Sequence, residues 1–286
     1  MTVAVYREYD QAGLDAQYNN RAAVAEAPQF IARWEADSEA VRQAGGPPAE
    51  LAYGDHPRHT LDVFAGPGVT APTLVFIHGG YWHMLAKTAY HFPAPAITGA
   101  GINYVALEYP LAPEVTIGDI VASVRQGIAW LWRNGSDHGL DPDRLYVSGH
   151  SAGGHLTAMA MASDWAGVGP GLPDDLLKAG LAISGLFDME PIRLSYLNKE
   201  LSIAEADVAG LSPMNNLAPR RLDVVVGGAE SDEYLRQARE YHQAWAAAGG
   251  TGRLVATGDD NHFSVIDGLD DPKSELFGLI KDMCGP

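Results

Sequence analysis

The chain is poor in several features that mark whole classes of protein. It has one cysteine, Cys284, so no internal disulfide can form. No apolar run reaches the length needed to span a bilayer. Met1 to Asp10 is mixed polar and lacks the apolar segment of a secretory signal. Positive charge is scarce, with 19 Lys and Arg against 36 Asp and Glu, for a formal charge of −17. Nucleic acid and anionic membrane repel such a surface, so neither is expected as a partner, and the acidity reads as a solubility device. No Gly-Lys-Ser or Gly-Lys-Thr follows the Gly-Gly pairs, which argues against a phosphate loop. His56-Pro57-Arg58-His59 has no carboxylate or cysteine partners at ligand spacing and reads as a surface loop, so no metal is expected. No cofactor is implied, and a cytoplasmic location is the default expectation.

What is present is enough apolar material, 47% of 286 residues, for one large α/β domain spanning 1–286. Residues 1–45 read as polar helices closed by Gly45-Gly46-Pro47-Pro48. Strands are expected at Leu51 to Gly54, Thr60 to Phe64, Thr73 to Ile77, Asn103 to Glu108, Leu145 to Ser148, Ala179 to Ser184, Leu222 to Val226 and Leu254 to Ala256. Helices are expected from Ile117 to Trp132, Leu156 to Met161, Asp232 to Ala248 and Pro272 to about Met283. Strands alternating with helices predict a mostly parallel sheet covered on both faces. Residues 186–218 break the alternation and, with residues 1–45, are expected to form a small helical cap over the site.

Gly149-His150-Ser151-Ala152-Gly153 is the stretch with the most chemical content. It sits between an apolar strand and a helix, so the turn projects the Ser151 hydroxyl outward. A serine hydroxyl needs a base, and His262, on the loop after the last strand, fits that role. The base needs an acid. Glu230 lies in the turn after Leu222 to Val226, whereas Asp232 heads the next helix, where a carboxylate caps main-chain N–H groups. Glu230 is therefore preferred, with Asp232 the alternative. The order Ser, acid, His is that of α/β-hydrolase sheets. Main-chain N–H groups of Gly79, Gly80 and Ala152 are candidates for an oxyanion hole, because Gly79-Gly80 directly follows a strand. Tyr81 and Trp82 are expected to stack on an aromatic leaving group, with Phe187 and Tyr196 closing the pocket. His150 is a candidate for contact with substrate, and His155 reads as a packing residue.

His78-Gly79-Gly80-Tyr81-Trp82 and Gly149-His150-Ser151-Ala152-Gly153-Gly154-His155-Leu156 resemble arylformamidases, or kynurenine formamidases. These form part of the hormone-sensitive-lipase-like branch of the α/β-hydrolase fold. Tyr109-Pro110-Leu111-Ala112-Pro113-Glu114 and Asp141-Pro142-Asp143-Arg144 are similar to that branch, with Pro110 standing where it has arginine. Tyr18-Asn19-Asn20-Arg21 is similar to the group's N-terminal signature, and Ala229-Glu230-Ser231-Asp232-Glu233-Tyr234 to its acid loop, which puts the acid on Glu230. The resemblance implies an α/β-hydrolase fold and a serine hydrolase of aryl formamides or short carboxylic esters acting through an acyl-enzyme; the alternatives are a general short-acyl carboxylesterase without a formamidase role and, least favoured because His262 is present, a non-catalytic ligand-binding protein on the same fold. Such an enzyme needs only a small-molecule ester or amide as partner. An exposed edge strand could also pair two copies into a homodimer.

Overall fold

A computed structural model describes residues 3–68 and 70–285; Met1 and Thr2, counted above in the N-terminal cap segment, lie outside it. Eight strands form one sheet: β1 Ala49–Ala52, β2 Thr60–Phe64, β3 Thr73–Ile77, β4 Asn103–Leu107, β5 Leu145–His150, β6 Leu177–Ile183, β7 Leu222–Gly227 and β8 Leu254–Thr257. Their order is β1-β2-β4-β3-β5-β6-β7-β8. β1 pairs antiparallel with β2 and β2 antiparallel with β4, and every later pairing is parallel.

Alternate residues of the central strands enter opposite cores, as the two-residue side-chain period requires. Val75, Ile77, Val105, Leu107, Val224 and Val226 pack on one side. Leu74, Phe76, Tyr104, Ala106, Leu181 and Val225 pack on the other. This double burial explains why the strands read as unbroken apolar runs. The principal helices are α1 Gln11–Tyr18, α2 Ala27–Gly45, α3 Ile117–Asn134, α4 Ala152–Met161, α5 Asp232–Ala247 and α6 Glu275–Cys284. Residues of α3, α4 and α5 cover the first face, and those of α2 and α6 the second. Thr116 and Asp119 form a reciprocal capping box at the start of α3.

The fold class agrees with expectation, and the departures have local causes. β1 begins and ends two residues early because its antiparallel register runs from Ala49 opposite Val63 to Ala52 opposite Thr60. Asp232 is the first residue of α5 and not its cap; Ser231 holds the cap position and sends its hydroxyl to the Gln17 carbonyl, 2.7 Å away. α6 starts at Glu275, because the Ser274 hydroxyl accepts the Phe277 N–H at 2.9 Å. α4 starts four residues before Leu156, through Gly153 and Gly154. Glycine is a poor helix former, but here close packing requires it. A Cβ on Gly153 would sit 2.0 Å from the Ile77 carbonyl oxygen, and one on Gly154 2.8 Å from the Gly185 Cα. Gly153→Ala is therefore expected to cost about 3 kcal/mol or more, since backbone rather than a flexible side chain must move. Denaturant titration of the variant checks this, and stability within 1 kcal/mol of the parent would refute it (roughly the scale of an ordinary exposed helix substitution).

Parallel strands deliver their loops to one edge. The chain leaves β3 for β4 on one side and arrives at β5 on the other, so a crevice opens beyond their carboxyl ends. Gly79 follows β3 and Ser151 follows β5 at that point.

Candidate active site

Ser151 adopts φ 58° and ψ −117°, a strained conformation for a non-glycine residue, between β5 and α4. The small neighbours make that turn feasible, since a Cβ on Gly149 would lie 2.4 Å from the Gly153 carbonyl oxygen. The Ser151 hydroxyl donates to His262 Nε2 at 3.0 Å, and His262 Nδ1–H donates to Glu230 Oε2 at 2.6 Å. Glu230 Oε1 accepts the Gly227 N–H at 2.8 Å and the Ser184 hydroxyl. The carboxylate is thus held at both oxygens, and the Glu230 side chain is fully buried. Asp232 is exposed and makes no contact with His262. Ser184 was not foreseen; its position, one residue beyond β6 and beside the acid loop after β7, is the signal that could have found it.

The Gly79-Gly80 loop is clamped by buried polar groups. His78 Nδ1–H donates to the Gly79 carbonyl at 2.7 Å, and His78 Nε2 meets Glu108 Oε1 at 2.8 Å. Arg58 Nη2 also donates to Glu108, at 2.6 Å. Burial would raise the Glu108 carboxyl, but His78 and Arg58 outweigh it and hold the group below the usual carboxylate range. Tyr109 stacks on the His78 ring, centroids 4.1 Å apart, and donates its hydroxyl to the His78 carbonyl at 2.9 Å. Because a peptide is planar and trans, fixing the Gly79 carbonyl fixes the Gly80 N–H in the opposite direction. Gly80 has φ +109°, and a Cβ there would lie 2.1 Å from the Met84 carbonyl oxygen. Gly79 passes so close to the Ser151 turn that its Cβ would lie 3.2 Å from Ser151 Cβ. Ala152 opens α4, where a main-chain N–H has no intrahelical acceptor.

A cavity of about 350 Å³ opens onto Ser151, His150 and His262. Trp34, Tyr90, Phe263 and Leu85 supply much of its apolar wall. Trp34 comes from α2, so the N-terminal segment does reach the site, and Tyr196 and Leu197 come from the excursion at 186–218. Tyr81 also lines the cavity and donates its hydroxyl to the Tyr18 carbonyl at 2.6 Å. Two expected pocket aromatics lie elsewhere. Trp82 has no exposed surface, and its indole N–H donates to His155 Nδ1 at 3.2 Å. Tyr81 and Trp82 both have positive φ, and this turn sends the second ring into the core instead of the cavity. Phe187 is also fully buried and stacks on Tyr241, centroids 4.2 Å apart. The walls Trp34 and Phe263 escaped sequence reading for different reasons: Trp34 belongs to an apolar helical pattern indistinguishable from core, and Phe263 is a single aromatic in a polar loop with no pattern to set its direction.

Two buried histidines are neutral by construction. His155 Nε2–H donates to the Leu211 carbonyl at 2.8 Å while Nδ1 accepts from Trp82, and burial lowers its pKa to about 4. His150 Nε2–H donates to the His262 carbonyl at 2.9 Å; burial, with His262 adding to it, holds it well below the ordinary range. Unfolded histidines take up a proton near pH 6.5, whereas these folded ones do not, so acid favours the unfolded chain. The stabilisation is expected to be present above the unfolded value near pH 6.5 and to be lost as pH falls below it, by about 2 kcal/mol between pH 7 and pH 5 for His155, with His150 acting in the same direction. Urea titrations at the two pH values test this; equal midpoints would contradict it.

Comparison with known proteins gives this geometry a context. Residues 61–166 match the BD-FAE family. Kynurenine formamidase of Salmo salar is 31% identical over 82% of this chain and 81% of its own length. The Danio rerio enzyme of that name is 30% identical over the same shares. The chain belongs to the kynurenine formamidase family. A Silicibacter sp. TM1040 protein described provisionally as a thioesterase superposes with a TM-score of 0.82, at 30% identity over 93% of this chain and 98% of that one. An esterase from Thermogutta terrifontis shares the fold at 19% identity, with a TM-score of 0.67 over 84% and 95%. The fold is that of α/β-hydrolase esterases, and the chain is a hydrolase of ester or amide bonds. Among the described residues, no helix is long and apolar enough to cross a membrane.

Proposed function

We infer that this family member cleaves aryl formamides of the N-formylkynurenine kind, and short aryl esters, by nucleophilic catalysis at Ser151. The observation that carries the reading is the continuous hydrogen-bond line from Ser151 through His262 to Glu230 at the floor of an apolar cavity. In the proposed mechanism the Ser151 oxygen attacks the formyl carbon as its proton passes to His262 Nε2. Charge developing on the formyl oxygen is met by N–H groups of Gly79, Gly80 and Ala152. The C–N bond then breaks, and the departing arylamine takes the proton from His262. Water, deprotonated by the same imidazole, attacks the formyl-serine; formate leaves and the proton returns to Ser151. Glu230 fixes the His262 tautomer and stabilises the imidazolium.

A short-acyl carboxylesterase without a formamidase role is the second reading. It is favoured by a 27% identical isoprenylcysteine methylesterase of Arabidopsis thaliana that matches 82% of this chain. Purified protein should hydrolyse N-formylkynurenine with release of formate, and a fluorophosphonate probe should label Ser151. Turnover of p-nitrophenyl acetate alone would leave the second reading standing. No turnover of either, with Ser151 unlabelled, would sink both. A cytoplasmic setting and pairing of copies through the edge strands β1 or β8 belong to the same proposal.

A further inference from the structure

Asn20 is a buried polar residue in the cavity wall, and the mechanism above leaves it unused. It opens the short helix Asn20–Ala23. Its Nδ2 lies 3.1 Å from the Tyr81 hydroxyl and 3.1 Å from the Tyr234 hydroxyl. Tyr81 spends its own proton on the Tyr18 carbonyl at 2.6 Å, so towards Asn20 it can only accept. The amide NH2 must therefore face the tyrosines, with one N–H on each hydroxyl. This fixes which way the amide points. Oδ1 is left over: it has no hydrogen-bond partner among the described residues, and it is not one of the unpartnered atoms sealed inside the core. The cavity is the space that Asn20 adjoins.

The tyrosines also place this amide relative to the reacting groups. The Tyr234 ring lies 4.7 Å from the His262 ring, centroid to centroid. Burial raises the Tyr234 hydroxyl above the ordinary phenol value, and the Tyr81, Asn20 and Ser151 side chains act the other way. One tyrosine hydroxyl thus stands between Asn20 and Ser151. An acceptor at that place meets whichever atom leaves the acyl group. An anilide nitrogen brings an N–H to it, whereas an ester oxygen brings only lone pairs. A site built to hydrogen-bond a substrate N–H rejects the analogue that lacks it, because its own polar group is then unpaired.

Resting on the reading of Ser151 as nucleophile, we propose that Asn20 is a specificity-determining residue whose Oδ1 accepts the N–H of the scissile bond and so selects N-acyl over O-acyl substrates. That hydrogen stays on nitrogen throughout. Attack by the Ser151 oxygen turns the planar amide nitrogen pyramidal and frees its lone pair. With the N–H held by Asn20, the lone pair takes the proton from His262 Nε2, the C–N bond breaks, and the arylamine leaves with both hydrogens. Tyr81 and Tyr234 act through Asn20 as positioning residues. The segment that enters the wall from the N-terminal side thus sets the choice of bond, while the sheet carries the chemistry.

The test compares formanilide with phenyl formate, which share the acyl group and the ring and differ only in N–H against O. The ratio of kcat/KM, amide over ester, is measured for the parent, Asn20→Ala, Asn20→Asp and Tyr81→Phe, with spontaneous hydrolysis of the formate subtracted. The ratio should fall at least about tenfold in Asn20→Ala, the scale of a buried donor left without its partner. Asn20→Asp keeps an acceptor oxygen and should hold the ratio closer to that of the parent. Tyr81→Phe takes one anchor from the amide and should lower the ratio by a smaller factor, which supplies a separate reading if Asn20→Ala does not fold. A purely structural role for Asn20 would depress both substrates alike. That equal loss, or an unchanged ratio in Asn20→Ala and Tyr81→Phe, would overturn the proposal and leave the formamidase reading standing. A parent that cleaves phenyl formate but not formanilide would strike the formamidase reading itself, and the role of Asn20 with it.

Discussion

Replacing Ser151 by alanine should lower kcat/KM for every acyl substrate by about 10⁴-fold to 10⁶-fold while leaving the protein folded. The side chain is buried, so the change could be suspected of acting through structure. It removes only the oxygen that bonds His262, and the neighbouring restraints do not involve that oxygen. Ser151 N–H still bonds the Ile183 carbonyl at 2.8 Å, and the Gly149 and Gly153 contacts are untouched. One hydrogen bond is worth about 1 kcal/mol, so the thermal midpoint should move by a few degrees at most. A fluorophosphonate probe that labels the parent should fail on the variant. Residual activity within about tenfold of the parent, with the fold intact by circular dichroism, would remove Ser151 from the proposed role; one displaced nucleophile is worth far more than that.

The legibility of this site in the sequence followed from how each residue is anchored. Ser151, Glu230 and His262 lie one, three and five residues beyond β5, β7 and β8. Apolar runs mark those strand ends, so counting forward from each run reaches the residue. Gly79 and Gly80 follow β3 in the same way. Residues that depend on how distant elements meet were less legible. Trp34 lies in the middle of α2 and reads as one more apolar helical position, yet it faces the cavity. Trp82 neighbours the oxyanion candidates in sequence, but two successive positive-φ residues turn it into the core. The clamp on the Gly79 carbonyl joins residues 58, 78 and 108, and no short motif contains all three. Tyr18-Asn19-Asn20-Arg21 was visible only as a stretch. Its Tyr18 hydroxyl donates to Glu233 at 2.8 Å, which ties the cap segment to α5.

Glu230 and Asp232 stand two residues apart, and exchanging them for neutral side chains should give opposite outcomes. Glu230→Gln keeps the volume and keeps an oxygen for the Gly227 N–H, so its cost to stability should be modest. It removes the charge that faces His262 Nδ1–H at 2.6 Å, and a rotated amide would present its own N–H and favour the wrong tautomer. A fall in kcat of about 10³-fold to 10⁴-fold is expected, with KM little changed. Asp232→Ala acts elsewhere. Its carboxylate is exposed in the first turn of α5, where it favours the helix dipole by about 0.3–1 kcal/mol, so the thermal midpoint should drop slightly and kcat should stay within about threefold. The paired comparison separates a proton-transfer role from a helix-stabilising one, because each variant moves the observable that the other leaves alone. If Asp232→Ala cost more activity than Glu230→Gln, the carboxylate behind His262 during turnover would have to be the other one. The acid loop would then have to rearrange, giving up the bonds from Gly227 and Ser184 that hold Glu230.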